Sequence, residues 1–386
     1  MNKIRVGVLF GSRSVEHEVS IVTAMEVFAA MDREKYDVVP IYIDKEGKWN
    51  TGKDLDKLES FMNLRLVTKE TLQECMLPAV VGQKSVVPAV SGGLSKEIDI
   101  VFPALHGTYG EDGTIQGLLE MVGMPYVGCG VGAAAVGMDK VLQKAVFEKE
   151  GIPVVKYEWF MDVEWNKSKE EIIRRLENKL GYPMCVKPAN LGSSIGINIA
   201  KDRAELEWAI EVAKEFDRKL LIEEGLVGID EINCSVMGVD ELEASVCEQP
   251  VKANKVLTYE EKYLLGGKTK GMAGLARLLP APIPDKLRDS IQNYAKMAFR
   301  AIGASGLSRI DFLVDIKKEK VYINEINTLP GGMSFYIWEK SGYTYSQVVD
   351  KLIDLGFERF NKYARLQRSF DTKLLKTNSG GAKFQK

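Results

Sequence analysis

Apolar residues come in short runs along the first third of the chain, and each run ends in a polar, glycine-rich turn. Ile4 to Phe10 is one such run; it stops at Gly11-Ser12-Arg13-Ser14, and a helical stretch, Val15 to Met31, follows. Val38 to Ile43 and Ile98 to Ala104 repeat the strand signal, the second ending at His106-Gly107-Thr108-Tyr109-Gly110-Glu111-Asp112-Gly113. Strands alternating with helices predict a parallel sheet with crossover helices over residues 1–130. In an open α/β sheet ligands sit outside the carboxyl ends of the strands, which is where the Gly11 and His106 loops fall.

Farther on, Val141 to Glu150 reads as a short helix closed by Gly151-Ile152-Pro153. Strand signals at Met184 to Lys187 and Leu220 to Glu223 alternate with charged amphipathic helices at Lys169 to Leu180 and Arg203 to Glu215, a spacing that predicts a small α+β domain over residues 131–236. A third domain is expected over 237–360. Its polar, glycine-rich loop, Leu264 to Arg277, is long enough to be an active-site lid. Residues 361–386, rich in Lys, Ser, Gly and Asn, read as a frayed tail.

Hard oxygen ligands stand out on two neighbouring apolar segments of this third domain. Arg309-Ile310-Asp311-Phe312 is followed, after a turn, by Val321-Tyr322-Ile323-Asn324-Glu325-Ile326-Asn327 and then Thr328-Leu329-Pro330-Gly331-Gly332. Period-2 alternation puts Glu325 and Asn327 on one strand face. With Asp311 they suit a pair of Mg²⁺ ions and their phosphates.

Composition narrows the chemistry. The 386 residues, 45% hydrophobic, are enough for roughly two or three domains with sizeable cores. A formal net charge of −2 supplies no global basic field for nucleic acid or an anionic membrane, so phosphate recognition has to be local. No apolar run reaches the roughly 18 residues needed to cross a bilayer, and the N-terminus lacks a signal-peptide pattern, so a cytoplasmic location is expected. Five scattered cysteines without CxxC spacing suggest neither disulfides nor zinc and read as buried thiols. Two histidines exclude a His-rich metal site, leaving carboxylates, lysines and backbone amides to carry the chemistry.

Phosphate recognition has one clear candidate. Cys185-Val186-Lys187-Pro188-Ala189-Asn190-Leu191-Gly192-Ser193-Ser194-Ile195-Gly196 sets a lysine at a strand end before a Gly/Ser loop, where backbone N–H groups can approach phosphate oxygens. A hairpin turn with an exposed lysine would look the same. Lys140, in Gly137-Met138-Asp139-Lys140, and the strand end Leu221-Ile222-Glu223-Glu224-Gly225-Leu226 add to it. The latter could be a hinge reading adenine through backbone groups, with Glu231 as a ribose-hydroxyl acceptor. The Gly11-Ser12-Arg13-Ser14 turn lacks GxGxxG spacing, which argues against a nicotinamide dehydrogenase.

In this order, the elements resemble the ATP-grasp superfamily and, within it, the D-alanine:D-alanine ligases. The resemblance covers about residues 4 to 355. It rests on Glu16-His17-Glu18-Val19-Ser20, Leu105-His106-Gly107 with Gly110-Glu111-Asp112-Gly113 and Gln116-Gly117, the Lys187 to Gly196 loop, Glu261-Lys262-Tyr263, Arg309-Ile310-Asp311, and Asn324 to Gly331. It implies an ATP-grasp fold of three domains, α/β and α+β: a Rossmann-like N-terminal substrate domain, a small central α+β subdomain, and a C-terminal α+β subdomain with a mobile lid, the metal site and the acceptor site. It also implies phosphorylation of one D-alanine carboxylate by ATP, then attack by the amine of a second, for peptidoglycan precursor synthesis.

By the same resemblance Lys140 and Lys187 hold the α- and β-phosphates, Lys262 reaches the γ-phosphate, and the Ser193-Ser194 loop closes over them. Asp311, Glu325 and Asn327 bind two Mg²⁺, for which Mn²⁺ can substitute, and Arg309 with the Gly331 N–H stabilises the oxyanion. Glu16 pairs with the first substrate's ammonium, and Ser193 and Tyr263 hydrogen-bond to it. His106 matches a histidine near that substrate's carboxylate and fits equally a structural role, while Glu111 and Asp112 read as turn caps. A homodimer is the family's expectation.

The sequence departs from the family pattern after Pro330. A Thr-Ser-x-Ser-Leu type run, whose last serine holds the second substrate's carboxylate, is replaced by Gly331-Gly332-Met333-Ser334-Phe335-Tyr336-Ile337-Trp338. Tyr336 takes the serine position, and either it or Ser334 is a candidate for the carboxylate. A different acceptor, D-serine, D-lactate or another amino acid, is therefore an alternative, as is a non-catalytic nucleotide-binding homologue. The segment Leu264-Leu265-Gly266-Gly267-Lys268-Thr269-Lys270-Gly271 is also longer and more basic than the family's usual lid.

Overall fold

The computed structural model describes residues 3–62, 72–89, 95–251 and 277–371. Lys262, Tyr263 and all but the last residue of the expected lid lie outside them. Three sheets organise the described residues.

The first sheet holds β1 (Ile4–Gly11), β2 (Tyr36–Ile43), β3 (Trp49–Gly52), β4 (Leu72–Met76), β5 (Ser85–Pro88), β6 (Lys96–Glu97) and β7 (Ile100–Pro103), in the order β6-β5-β4-β3-β2-β1-β7. Only part of it is parallel. β1 runs parallel to β2 and β7, as the alternation predicts, but β3 to β6 add on antiparallel. The cause is the length of the β2–β3 connection: Asp44 accepts from the N–H groups of Glu46 and Lys48, and Gly47 takes a left-handed φ of 89°. So tight a turn can only make a hairpin. Gly11, at φ 96°, ends β1 where a Cβ would strike the Ile43 carbonyl.

The central sheet contains β8 (Tyr157–Met161), β9 (Met184–Pro188), β10 (Asn198–Ala200) and β11 (Lys219–Glu224), ordered β10-β9-β11-β8 and antiparallel throughout. Its helices are Asp162–Lys179, which begins seven residues before the expected Lys169 because Glu164 caps the Met161 N–H, and Arg203–Lys214, capped by Asp202.

The third sheet contains β12 (Asp230–Gly238), β13 (Leu242–Pro250), β14 (Arg277–Leu278), β15 (Gly306–Asp315) and β16 (Lys320–Asn327), ordered β14-β13-β12-β15-β16. Residues 230–236, expected at the end of the central domain, pair with β15 along their whole length instead. The helix Tyr345–Ala364 extends past residue 361, so the first residues of the expected tail are helical.

One apolar cluster joins the first sheet to the segment after β16. Val6, Val8, Phe10 and Phe102 of the first sheet share one apolar cluster with Leu329, Met333, Phe335, Trp338 and Leu352, so the segment after β16 is packed onto the first sheet. All five cysteines are free, four of them buried and Cys185 half-buried. Among the described residues no helix is long and apolar enough to cross a membrane.

Candidate active site

β15 and β16 bring the oxygen ligands together through their register. Asp311 pairs with Glu325 and Arg309 with Asn327, so four polar side chains form a block on one face of the ladder. Arg309 grips Asp311 with two parallel bonds, Nε to Oδ1 and Nη2 to Oδ2, each 2.7 Å. Asn327 Nδ2 donates to Asp311 Oδ2 at 3.1 Å. Burial pushes the Asp311 carboxyl up to about 6; Arg309 opposes this, while Glu325 and Glu231 add to it. Burial also works against the Arg309 charge, but Asp311 outweighs it and raises the guanidinium well above its ordinary value.

Two lysines from other elements converge on the same strand. The helix Lys140–Lys149 is capped by Asp139, and its first residue sends Nζ to Glu325 Oε2 at 3.1 Å and to the Leu191 carbonyl at 2.8 Å. Lys187, on β9, reaches Asn324 Oδ1 at 3.0 Å and Glu223 Oε2 at 2.5 Å. The Gly/Ser loop after β9 carries Ser193 and Ser194 at left-handed φ values of 54° and 59°.

Lys144 is a site residue that the sequence reading missed. It lies one turn beyond Lys140, fully buried, and pairs with the other oxygen of Glu223. Burial alone would raise the Glu223 carboxyl, yet Lys144 and Lys187 bring it down to about 2. Burial lowers Lys187 too, but Glu223 lifts it above the ordinary lysine value. The i, i+4 spacing of two lysines was the available signal. Next to this cluster, Glu224 donates its N–H to the Lys156 carbonyl at 2.9 Å, and Leu226 follows, half-buried, after β11.

Across the cleft, Glu16 stands at the start of the first helix, His17–Ala30, and Ser193 donates to its Oε1, joining the first-sheet loop to the Gly/Ser loop. Glu111 lies near it. Burial, and then the Glu16 charge, push the Glu111 carboxyl up to about 8, although it accepts from Gly107 N–H at 2.8 Å and Leu329 N–H at 3.3 Å. The turn-cap reading thus covers half of what Glu111 does. His106 is buried, its Nε2 2.8 Å from Thr23 Oγ1, and burial pushes it down to about 4.

After Pro330 the backbone is unusual. Gly331–Ser334 forms a short 3-10 turn with Gly332, Met333 and Ser334 all left-handed. Ser334 is fully buried, and no hydrogen-bond partner for its hydroxyl is present among the described residues. Tyr336 donates to Glu248 Oε2 at 3.2 Å, while the Arg277 guanidinium lies 3.7 Å over its ring and 2.8 Å from Glu248 Oε1. Glu248, on β13, escaped the sequence reading, and Arg277, on β14, was read only as the end of the expected lid, because one charged residue on a strand carries no pattern.

Family models described as D-ala D-ala ligase N-terminus and D-ala D-ala ligase C-terminus match residues 5–129 and 146–354. The chain belongs to the D-ala D-ala ligase family. A D-alanine–D-alanine ligase of Thermosipho melanesiensis is 42% identical over 98% of this chain and 99% of its own length. One from Bacillus cytotoxicus is 39% identical over 95% and 99%. Among solved structures, the D-alanine-D-alanine ligase of Coxiella burnetii superposes with a TM-score of 0.81 at 28% identity, covering 98% of both chains. A D-Ala:D-Ser ligase of Enterococcus faecalis does so with a TM-score of 0.79 at 31% identity, over 92% of this chain and 100% of that one. The ligase family and its ATP-grasp fold account for the three sheets among the described residues.

Among the described residues no three His, Cys, Asp or Glu side chains gather at metal-ligating distance. The set expected from the sequence, Asp311, Glu325 and Asn327, offers two carboxylates and an amide oxygen, all hard, which would fit Mg²⁺ if nucleotide phosphates supplied further ligands. The unfavourable crowding of Asp311, Glu325 and Glu231 is what a divalent cation would relieve.

Proposed function

We propose that the chain joins two D-alanines into D-alanyl-D-alanine at the expense of ATP, through an acyl phosphate, for peptidoglycan precursor synthesis. The observation that carries this is the convergence of Lys140 and Lys187 on β16, beside the Arg309–Asp311 and Glu325–Asn327 block. Glu223, Glu224 and Leu226 border the adenine and Glu231 the ribose. Lys140, Lys187 and Ser194 hold the α- and β-phosphates, with Lys262 at the γ-phosphate. Asp311, Glu325 and Asn327 would hold two Mg²⁺ ions, or Mn²⁺ in their place, which when bound neutralise charge on the transferring phosphoryl group.

Glu16 pairs with the ammonium of the first D-alanine, and Ser193 and Tyr263 tie it to the other side of the cleft. His106 borders the same pocket. The first substrate's carboxylate oxygen attacks the γ-phosphorus and ADP leaves. The second substrate's neutral amine then attacks the acyl carbon. Asp311 occupies Nε and Nη2 of Arg309, so its Nη1 edge and the Gly331 N–H face the oxyanion. Collapse of the tetrahedral intermediate expels phosphate, which carries away the original carboxylate oxygen, and the amine loses a proton.

A second reading keeps the chemistry and changes the acceptor to D-serine, D-lactate or another amino acid. It is favoured by Tyr336, committed to Glu248 and Arg277 where the family pattern has a serine. Ser334 and Tyr336 then shape the acceptor site. We place the enzyme in the cytoplasm, as a homodimer. Phosphate release with ATP, Mg²⁺ and each acceptor, with the product identified by mass, tests both readings. Equimolar ADP, phosphate and D-alanyl-D-alanine support the first; turnover only with another acceptor favours the second. Nucleotide binding with no turnover would identify a non-catalytic homologue.

A further inference from the structure

We propose that Thr23, together with His106, is a positioning residue for the oxyanion: it fixes the Leu329–Gly332 backbone so that the Gly331 N–H meets the developing charge. The inference rests on the ligase reading, which supplies the oxyanion, and on a set of hydrogen bonds that stands without it.

The segment needs holding. Gly332, Met333 and Ser334 have φ values of 56°, 48° and 50°, and two of the three are not glycine. Each left-handed non-glycine residue costs about 1 kcal/mol, so the turn would relax if it were free. A Cβ on Gly332 would also come within 2.5 Å of Glu26 Oε2, so a side chain there would have to displace that carboxylate.

Three side chains from the first-sheet region supply the restraint. Glu111 accepts from the Leu329 N–H at 3.3 Å, Thr23 accepts from the Gly332 N–H at 3.1 Å, and His106 holds Thr23 through its Nε2. The Met333 N–H closes the turn onto the Pro330 carbonyl at 2.8 Å. Gly331 therefore sits between two tethered residues, and its N–H direction follows from theirs.

Thr23 and His106 work as a pair. Both are buried, and Thr23 Oγ1 lies 2.8 Å from His106 Nε2. A neutral imidazole has one N–H and one lone pair, and with the lone pair on Nε2 the Thr23 hydroxyl can donate to it. That leaves the Thr23 oxygen free to accept from Gly332. The branched Cβ limits the side chain to few rotamers, so the acceptor is held in place before substrate arrives. Thr23→Val would keep the shape and leave the half-buried Gly332 N–H without its partner.

The experiment uses the full chain with Thr23→Val and Thr23→Ser. In the ligand-free protein, amide exchange at Gly332 should speed at least about tenfold in Thr23→Val and return toward wild type in Thr23→Ser. Turnover number should fall on the order of ten- to a hundredfold in Thr23→Val, the scale of a displaced catalytic group, with KM for ATP and first substrate little changed and most of the loss recovered by Thr23→Ser. Nitrogen NMR of the two histidines provides a measurement on the wild type alone: His106 Nε2 should be unprotonated at neutral pH. Unchanged exchange in Thr23→Val, a Thr23→Ser as slow as Thr23→Val, or a protonated Nε2 would overturn the proposal. If wild type makes no dipeptide while Gly332 exchange responds as stated, the ligase reading fails and the brace stands.

Discussion

The two sides of the cleft hold their groups by different physics. On the side of β9, β11 and β16 the charged groups are held by charged partners, buried or half-buried: Lys187 and Lys144 on Glu223, Lys140 on Glu325, Arg309 on Asp311. On the side of the Leu329–Ser334 turn the ties are hydrogen bonds among Thr23, His106, Glu111 and backbone N–H groups, and the histidine is pushed toward its neutral form. Buried charges that lose a partner are costly, so the first side resists rearrangement and suits groups that must neutralise phosphate. Single neutral hydrogen bonds each contribute about 1 kcal/mol, so the second side is held only by several acting together. The lesson is that charge is placed by pairing and a backbone donor by bracing.

Substitutions should separate the two sides. The largest loss is expected for Glu325→Gln, on the order of a thousandfold in turnover, with folding retained; near wild-type activity would remove the metal assignment. Arg309→Met should cost on the order of a hundred- to a thousandfold in turnover and weaken a phosphinate mimic of the tetrahedral intermediate far more than substrate. Lys144→Met leaves Glu223 with one lysine and should destabilise by about 3 kcal/mol in denaturant unfolding, with a raised KM for ATP. Tyr336→Ser should shift relative KM among acceptors by about tenfold and leave ATP binding unaltered.

pH should divide the sides most cleanly. Glu223 has a folded value near 2, below its ordinary range, so its contribution is complete above about pH 4.5 and is lost as acid carries the pH toward 2. Glu111 is shifted the other way, to about 8, so its contribution is complete below about pH 4.5 and is lost as the pH rises through 8. Glu223→Gln should flatten the acid limb of the stability profile and Glu111→Gln the rise-to-8 limb, each leaving the other intact.

Much of the charged side was legible in the sequence, because carboxylates and lysines within apolar strands are conspicuous. Asp311, Glu325 and Asn327 come together as alternation requires, and Glu16 meets Ser193 across the cleft. Lys144 was passed over because a second lysine on a charged helix resembles solvated surface. The neutral side was nearly silent. Thr23 is an ordinary helical threonine by pattern, and Glu111 looked like a turn residue until its second oxygen was seen on Leu329. The antiparallel extension of the first sheet was missed for a similar reason: a tight Asp44–Lys48 turn decides strand direction without altering the hydrophobic rhythm.

The proposed chemistry activates a carboxylate as an acyl phosphate between these two sides. D-alanine labelled with ¹⁸O in its carboxylate, turned over with ATP and Mg²⁺, tests it directly. One labelled oxygen should appear in each phosphate released, in step with dipeptide. Dipeptide formed with unlabelled phosphate would contradict the account.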